Sequence, residues 1–203
     1  MSKVIVSEFL TVDGVMQSPG YTDEDASGGF EHGGWQLPLL DDVLMEAVMG
    51  VIGKARGLLL GRRTYDIFAA WWPNQPADDP IAPTFNEMPK YVASTTLSEP
   101  LPWENSHLIT DVRSEVTKLR EEEGGDLLVI GSGVLVQTLV GHDLVDAYHL
   151  MIHPLLVGGG KRLFPDGKMR VPLRLVDTKT TTKGVVILRY EPEAAKSQGG
   201  EAQ

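Results

Sequence analysis

The chain contains no cysteine, which excludes a disulfide framework and any thiolate-held metal and is compatible with a reducing compartment. It has no apolar run near the ~20 residues that a membrane-spanning helix requires. Basic residues are in short supply. The 18 Lys and Arg stand against 28 Asp and Glu, and a formal charge of −10 argues against sequence-independent binding to nucleic acid or to an anionic membrane. A small-molecule partner suits such a surface better. Met1-Ser2-Lys3 runs directly into Val4-Ile5-Val6, without the basic segment, apolar stretch and cleavage site of a signal peptide, so a cytoplasmic protein is expected.

What the chain does have is apolar content for one core: 42% of 203 residues are hydrophobic, enough for a single domain over residues 1–192. Residues 193–203, dominated by Ala, Lys, Ser, Gln and Gly, read as a disordered tail. Residues 3–10 read as a buried strand, because Val4, Ile5, Val6, Phe9 and Leu10 crowd both faces, and Asp13-Gly14 ends it. Residues 17–35 are rich in Gly, Asp, Glu and Ser and read as a loop too polar to pack but long enough to serve as a lid. The acidity of Asp23-Glu24-Asp25 reads as solvation.

Over residues 39–54, Leu40, Val43, Leu44, Ala47, Val48 and Val51 fall on one helical stripe. Leu58-Leu59-Leu60 reads as a short buried strand, followed by a helix that stops at Pro73, and residues 73–89, with five prolines, read as a loop. Strands are predicted at 91–93 and 108–109, a helix over 111–123, a strand over 126–130 and a short helix over 134–140. The last strands, 148–157 and 173–190 with a break near 182–184, look antiparallel. The order predicts an α/β fold, a mainly parallel mixed sheet with flanking helices and an antiparallel C-terminal edge.

Two junctions carry chemical information. At Leu60-Gly61-Arg62-Arg63-Thr64 a strand turns through glycine into a helix, whose free amides and dipole favour an anion, and two guanidinium groups add forked donors suited to phosphate. Ile130-Gly131-Ser132-Gly133-Val134-Leu135 repeats the form and lets a pyrophosphate approach the backbone. Taken singly, an Arg-Arg pair also serves to solvate a helix start, and a Gly-x-Gly to make a tight turn. Two such junctions at strand ends of an α/β sheet make the stronger argument. His149 and His153 share a strand face, but no third ligand at suitable spacing accompanies them, and no metal is predicted. Trp71-Trp72 reads as packing at a helix end or as one wall of a ligand cleft.

These residues resemble the dihydrofolate reductase superfamily, and within it the reductase domain of the riboflavin-biosynthesis deaminase-reductase, over roughly residues 3–190. The resemblance rests on Asp13-Gly14, Gly61 to Tyr65, Ser94-Thr95, Val129 to Gly133 and the segment His153 to Phe164. It implies a dihydrofolate reductase-like three-layer fold and an NADPH-dependent reductase that transfers a hydride to a small heterocyclic or carbonyl substrate, such as a phosphoribosylamino-uracil. Gly61 to Thr64 and Gly131, Ser132, Gly133, Val134 and Leu135 would cradle the pyrophosphate. Arg62 or Arg63 with Ser94 and Thr95 would serve the 2′-phosphate, and Val12, Asp13 and Met16 would lie near the nicotinamide. Lys161 and Arg162 would meet a phosphorylated substrate or stand as exposed charges.

Trp35-Gln36-Leu37-Pro38 is similar to the W-x-L-P segment of folate-type reductases, whose substrate-binding carboxylate follows two residues after the proline; here that place is Leu40, and Asp41 comes one residue later. Asp13 and Asp41 are the carboxylates that would act on substrate, Asp13 by orienting the substrate or the nicotinamide amide, and the alternatives are a plain Asp-Gly turn at 13 and a surface carboxylate at 41. A homodimer is implied as well. The alternatives are a dihydrofolate reductase proper and a non-catalytic NADPH-binding protein of the same fold.

Overall fold

Val4, Ile5, Val6 and Leu10 become strand β1 (Val4–Thr11), buried on both faces as the apolar run requires. The computed structural model describes residues 1–164, 167 and 170–193. Along the chain follow α1 (Asp42–Ile52), β2 (Ala55–Gly61), α2 (Arg62–Trp71), α3 (Ala82–Glu87), β3 (Lys90–Ala93) and β4 (Ser106–Ile109). The second half holds α4 (Val112–Glu121), β5 (Asp126–Val129), α5 (Gly133–Gly141), β6 (Ala147–His153), β7 (Leu173–Thr180) and β8 (Val186–Pro192).

The strands form one eight-stranded sheet in the order β4-β3-β2-β5-β1-β6-β8-β7. Pairing is parallel from β4 through β6, and β8 and β7 close the edge antiparallel. On one face Val4, Val6 and Leu10 meet Val116 and Leu119 of α4 and Leu135, Val136 and Leu139 of α5. On the other, Ile5, Leu58 and Leu60 meet Ile52 of α1, Tyr65 of α2 and Phe85 of α3. This is the three-layer α/β architecture that the order of elements implies.

Helix starts divide into two kinds. Asp41 caps α1, accepting from the Leu44 amide at 2.9 Å, and Asp111 caps α4, accepting from Ser114 at 3.0 Å. Helices α2 and α5 begin at Gly61 and Ser132 with no capping side chain and no acidic residue in the first turn.

Several expectations are corrected. The helix predicted over 39–54 begins at Asp42, because Leu37–Leu39 form a separate 3₁₀ turn and Leu40 is extended. The segment 73–89 contains α3: Asp79 accepts from the Ile81 and Ala82 amides at 2.8 Å, and Pro83 sits in the first turn, where its missing donor costs nothing. Strand β6 ends at His153 rather than 157, and the stretch 173–190 forms two strands, β7 and β8, of which β8 pairs antiparallel with β6. The loop over 17–35 does pack, with Phe30 and Trp35 buried on Val15 and the Trp35 indole N–H donating to Gln17 O at 2.8 Å. The tail expected from residue 193 lies, beyond that residue, outside the described residues.

Candidate active site

β2 and β5 are neighbours, and each runs into a glycine before its helix. Since α2 leaves to one face of the sheet and α5 to the other, the C-terminal edge opens between them, where α/β sheets receive ligands. The two junctions are tied together. The Gly61 amide donates to Ser132 Oγ at 2.9 Å, and the Ser132 amide donates to Thr64 Oγ1 at 2.8 Å. Both face one cleft of about 1370 Å³, whose walls also carry Met16, Ser94, Thr95 and Thr96.

Sterics explain one glycine and leave another open. Gly131 has φ +60°, and a Cβ there would stand 2.9 Å from Thr64 Oγ1, so a side chain would push the junctions apart. At Gly61 the nearest atoms, on Leu135 and Ser132, would lie at an ordinary 3.6 Å, so no protein neighbour demands glycine. A ligand pressed against the backbone would.

Electrostatics point to an anion. The uncapped amides of α2 and α5 present the positive ends of two helix dipoles to the same space. Arg62 donates to Thr96 Oγ1 at 2.6 Å and holds Asp66 at 3.4 Å, while Arg63 donates to Ser27 Oγ at 3.3 Å. Both guanidinium groups stand on the cleft wall. Ser94 Oγ accepts from the Thr96 and Leu97 amides, both at 3.1 Å, and so shapes the turn that presents Thr95 and Thr96.

The family model of the RibD C-terminal domain matches residues 2–187. The chain belongs to the RibD C-terminal domain family. Among the relatives of this family member, YyaP of Bacillus subtilis (strain 168) is 31% identical over 157 residues, covering 74% of this chain and 83% of its own. YwjB of the same organism is 25% identical over 125 residues, covering 60% and 66%. Both are described as uncharacterised. A Shewanella sp. PV-4 crystal structure named for riboflavin biosynthesis superposes with a TM-score of 0.69 at 21% identity, covering 96% of this chain and all of the other. A pyrimidine reductase-like protein of Corynebacterium diphtheriae does so with a TM-score of 0.64 at 13% identity, covering 95% and 92%. At these identities the two structures attest the fold.

Within this RibD C-terminal domain, neither aspartate expected to act on substrate lines the cleft. Asp13 accepts from the Thr11 hydroxyl at 2.5 Å and from the Gly158 amide at 2.7 Å. Thr11 first, then the amides of Gly158 and Val157, hold its carboxyl down to about 2, so it is an ionised anchor for the 157–158 turn and no proton donor. Asp41 accepts from the Thr182 hydroxyl at 2.6 Å while capping α1, and these bonds hold it to about 2 as well. Val12 also falls outside the cleft, 60% exposed with its amide donating to Leu155 O. Met16 lines the cleft beside Gly133, Val134 stands 80% exposed at the mouth, and Leu135 turns its side chain into the core.

The structure adds residues that the motifs missed. Thr96 joins the arginine wall, and Glu24 and Asp25, read as mere solvation, line the cleft. Asp25 pairs with Lys161 and so pins the loop to the 158–162 turn, while Glu24 accepts from the Gly20 amide at 2.6 Å within the loop. Glu8, 3% exposed on β1, stands on the cleft wall. Burial pushes it well above the usual carboxylate range, the Gly131 amide pulls partly against that, and the charge of Glu24 adds to it. Its signal in the sequence was the single charged residue inside a strand buried on both faces, which is costly unless it is used.

The remaining candidates are structural. His153 is fully buried, its Nδ1 2.9 Å from Met151 O and its ring edge-on to Phe9 and Trp35. Trp72 packs on Phe68 and Phe85, and Trp71 stacks on Tyr21 with ring centres 4.4 Å apart.

Proposed function

We propose that this RibD C-terminal domain protein is an NADPH-dependent reductase acting on a small heterocyclic or carbonyl substrate of the pyrimidine type. One observation carries the reading: two uncapped helix starts, hydrogen-bonded to each other, open on a single cleft that also displays two arginines. Family membership supports a reductase, and the name of the Corynebacterium structure, a pyrimidine reductase-like protein, favours a pyrimidine-related substrate.

The donor set fits a phosphorylated dinucleotide. The amides at the starts of α2 and α5 would bind the pyrophosphate, and Arg62 and Arg63 with Thr95 and Thr96 would take the 2′-phosphate. Met16 and Glu8 would border the nicotinamide end. When bound, the cofactor supplies a hydride. The chain's own part is to fix that group in position and keep water away with the pinned 17–35 loop.

Quenching of the intrinsic tryptophan fluorescence by NADPH, followed by loss of the nicotinamide absorbance with aminouracil, pterin, quinone and aldehyde acceptors, tests this. Saturable binding with oxidation by at least one acceptor class is expected. Binding without oxidation by any of them would leave a nucleotide-binding protein without turnover, and no binding would overturn the cofactor reading. Methotrexate is expected not to compete with substrate, since Leu40 occupies the place of the folate-binding acid and Asp41 is committed as a cap.

A further inference from the structure

Beyond its approach to the Gly131 amide, the surroundings of Glu8 among the described residues reveal no role in holding the fold together. It lies on the same side of β1 as Val6 and Leu10, which pack into the α4–α5 core. Strand β5 ends level with Val6, where Val129 pairs, so Glu8 projects past the end of its neighbour and into the space beside Gly131. The residue is 3% exposed, yet Oε1 has no hydrogen-bond partner among the described residues. No cation offsets it either: among the described residues Lys161 pairs with Asp25, Arg62 with Asp66, and no ion pair includes Glu8. A buried polar atom left without a partner costs about 1–3 kcal/mol, so a fold with no use for it would replace it by an apolar side chain.

We propose that the Glu8 carboxyl is the docking point for an amide edge, the adjacent N–H and C=O of a carboxamide or lactam, on the molecule bound in the cleft. The chemistry follows from burial. Desolvation disfavours the charged form, the Gly131 amide pulls partly the other way, and the neighbouring Glu24 disfavours it further, so the balance favours the un-ionised acid over a wider pH range than for an exposed carboxyl. Such an acid offers one O–H donor and one C=O acceptor on adjacent atoms, which matches an amide through two parallel hydrogen bonds. A carboxylate, with acceptors alone, could not complete the pair.

Two sources carry that edge: the carboxamide of a nicotinamide, in which case the inference rests on the dinucleotide reading, and the lactam of a pyrimidine-type substrate. The charged groups that share the cleft are Glu24 and Asp25 on the 17–35 loop, Arg62, Arg63 and Asp66 on α2, and Lys161 and Arg162 on the turn opposite.

The test measures, across the pH range in which the protein stays folded, the affinity of the full-length protein and its Glu8→Gln and Glu8→Ala variants for three probes. The probes are NADPH, its reduced 3-acetylpyridine analogue, which lacks the amide N–H, and 5,6-diaminouracil. For the wild type, affinity for the amide-bearing probe should fall about tenfold as Glu8 ionises, the loss of roughly one net hydrogen bond. Glu8→Gln keeps a donor and an acceptor at every pH and should hold affinity while removing that pH dependence. Whatever pH dependence remains in it belongs to Glu24 or the other cleft groups. Glu8→Ala should bind about tenfold more weakly throughout.

If the nicotinamide is the source, the preference for NADPH over its acetyl analogue disappears in Glu8→Ala. If the substrate is, only diaminouracil responds. In the difference infrared spectrum on ligand addition, a protonated-carboxyl C=O band should shift in the wild type and be missing from Glu8→Gln. Should NADPH not bind the wild type at all, the dinucleotide reading fails while the diaminouracil arm still decides the role of Glu8. Identical affinities and pH profiles for wild type, Gln and Ala with every probe would overturn the inference.

Discussion

Replacing both arginines of the α2 start, Arg62→Ala with Arg63→Ala, should separate NADPH from NADH. A guanidinium–phosphate contact is worth about 1.5–3 kcal/mol. The lower end applies here, because the Arg62 side chain is 51% exposed and must share its charge with Asp66, 3.4 Å away. Two such contacts sum to about 3 kcal/mol, or roughly a hundredfold in Kd for NADPH. NADH has no 2′-phosphate and keeps the helix-start amides, so its Kd should move by less than about threefold. Calorimetric or fluorescence titration of both cofactors, with circular dichroism to confirm the fold, reads the difference. Added salt should narrow it, since both groups face solvent. Equal losses for the two cofactors would refute the reasoning, because the arginines would then serve the helix start or the pyrophosphate rather than the extra phosphate.

Asp13 and Asp41 both have carboxyls held near 2 against an ordinary 3.8, so the stability they contribute is complete above about pH 4 and lost as the pH falls towards 2. Asp13→Asn should flatten that acid limb in pH-dependent thermal melts, and Asp41→Ala should lower Tm while leaving kcat unchanged. Gly131→Ala, forced to φ +60° against Thr64, should lose about 1–2 kcal/mol in urea unfolding and weaken NADPH as the junctions separate. Lys90 is fully buried and donates to Asn86 O at 2.6 Å and Glu104 O at 2.9 Å, with its ammonium over the Trp103 ring. Lys90→Met should cost about 2–4 kcal/mol in urea unfolding, since it strands two carbonyls. A loss below about 0.5 kcal/mol would show that those contacts carry no weight.

Features governed by neighbours along the chain were readable in advance. The apolar run of Val4 to Leu10 marked a central strand, and the stripe from Val43 to Val51 marked α1, because burial selects side chains at the period of each element. The two glycine junctions stood out for the same reason: strand end, turn and helix start are adjacent in sequence. The α3 helix was hidden because the prolines of the 73–89 segment outweighed Phe85, whose burial depends on Trp72 and Phe68.

The roles of the carboxylates could not be read this way. Asp13, Asp41 and Glu8 are the same functional group, and what separates them is their partners: amides 144 and 145 residues away for Asp13, Thr182 for Asp41, and no partner for Glu8 Oε1 among the described residues. The sequence by itself determined the central strands and every helix longer than two turns, and that two helices start at glycine-marked turns. Only the tertiary structure decided that those turns share one cleft, that two aspartates are anchors, and that a glutamate lies buried at its wall. Pairing between distant segments sets the local dielectric and the count of donors around each acid, and these fix whether it is a cap, a strut or a functional group.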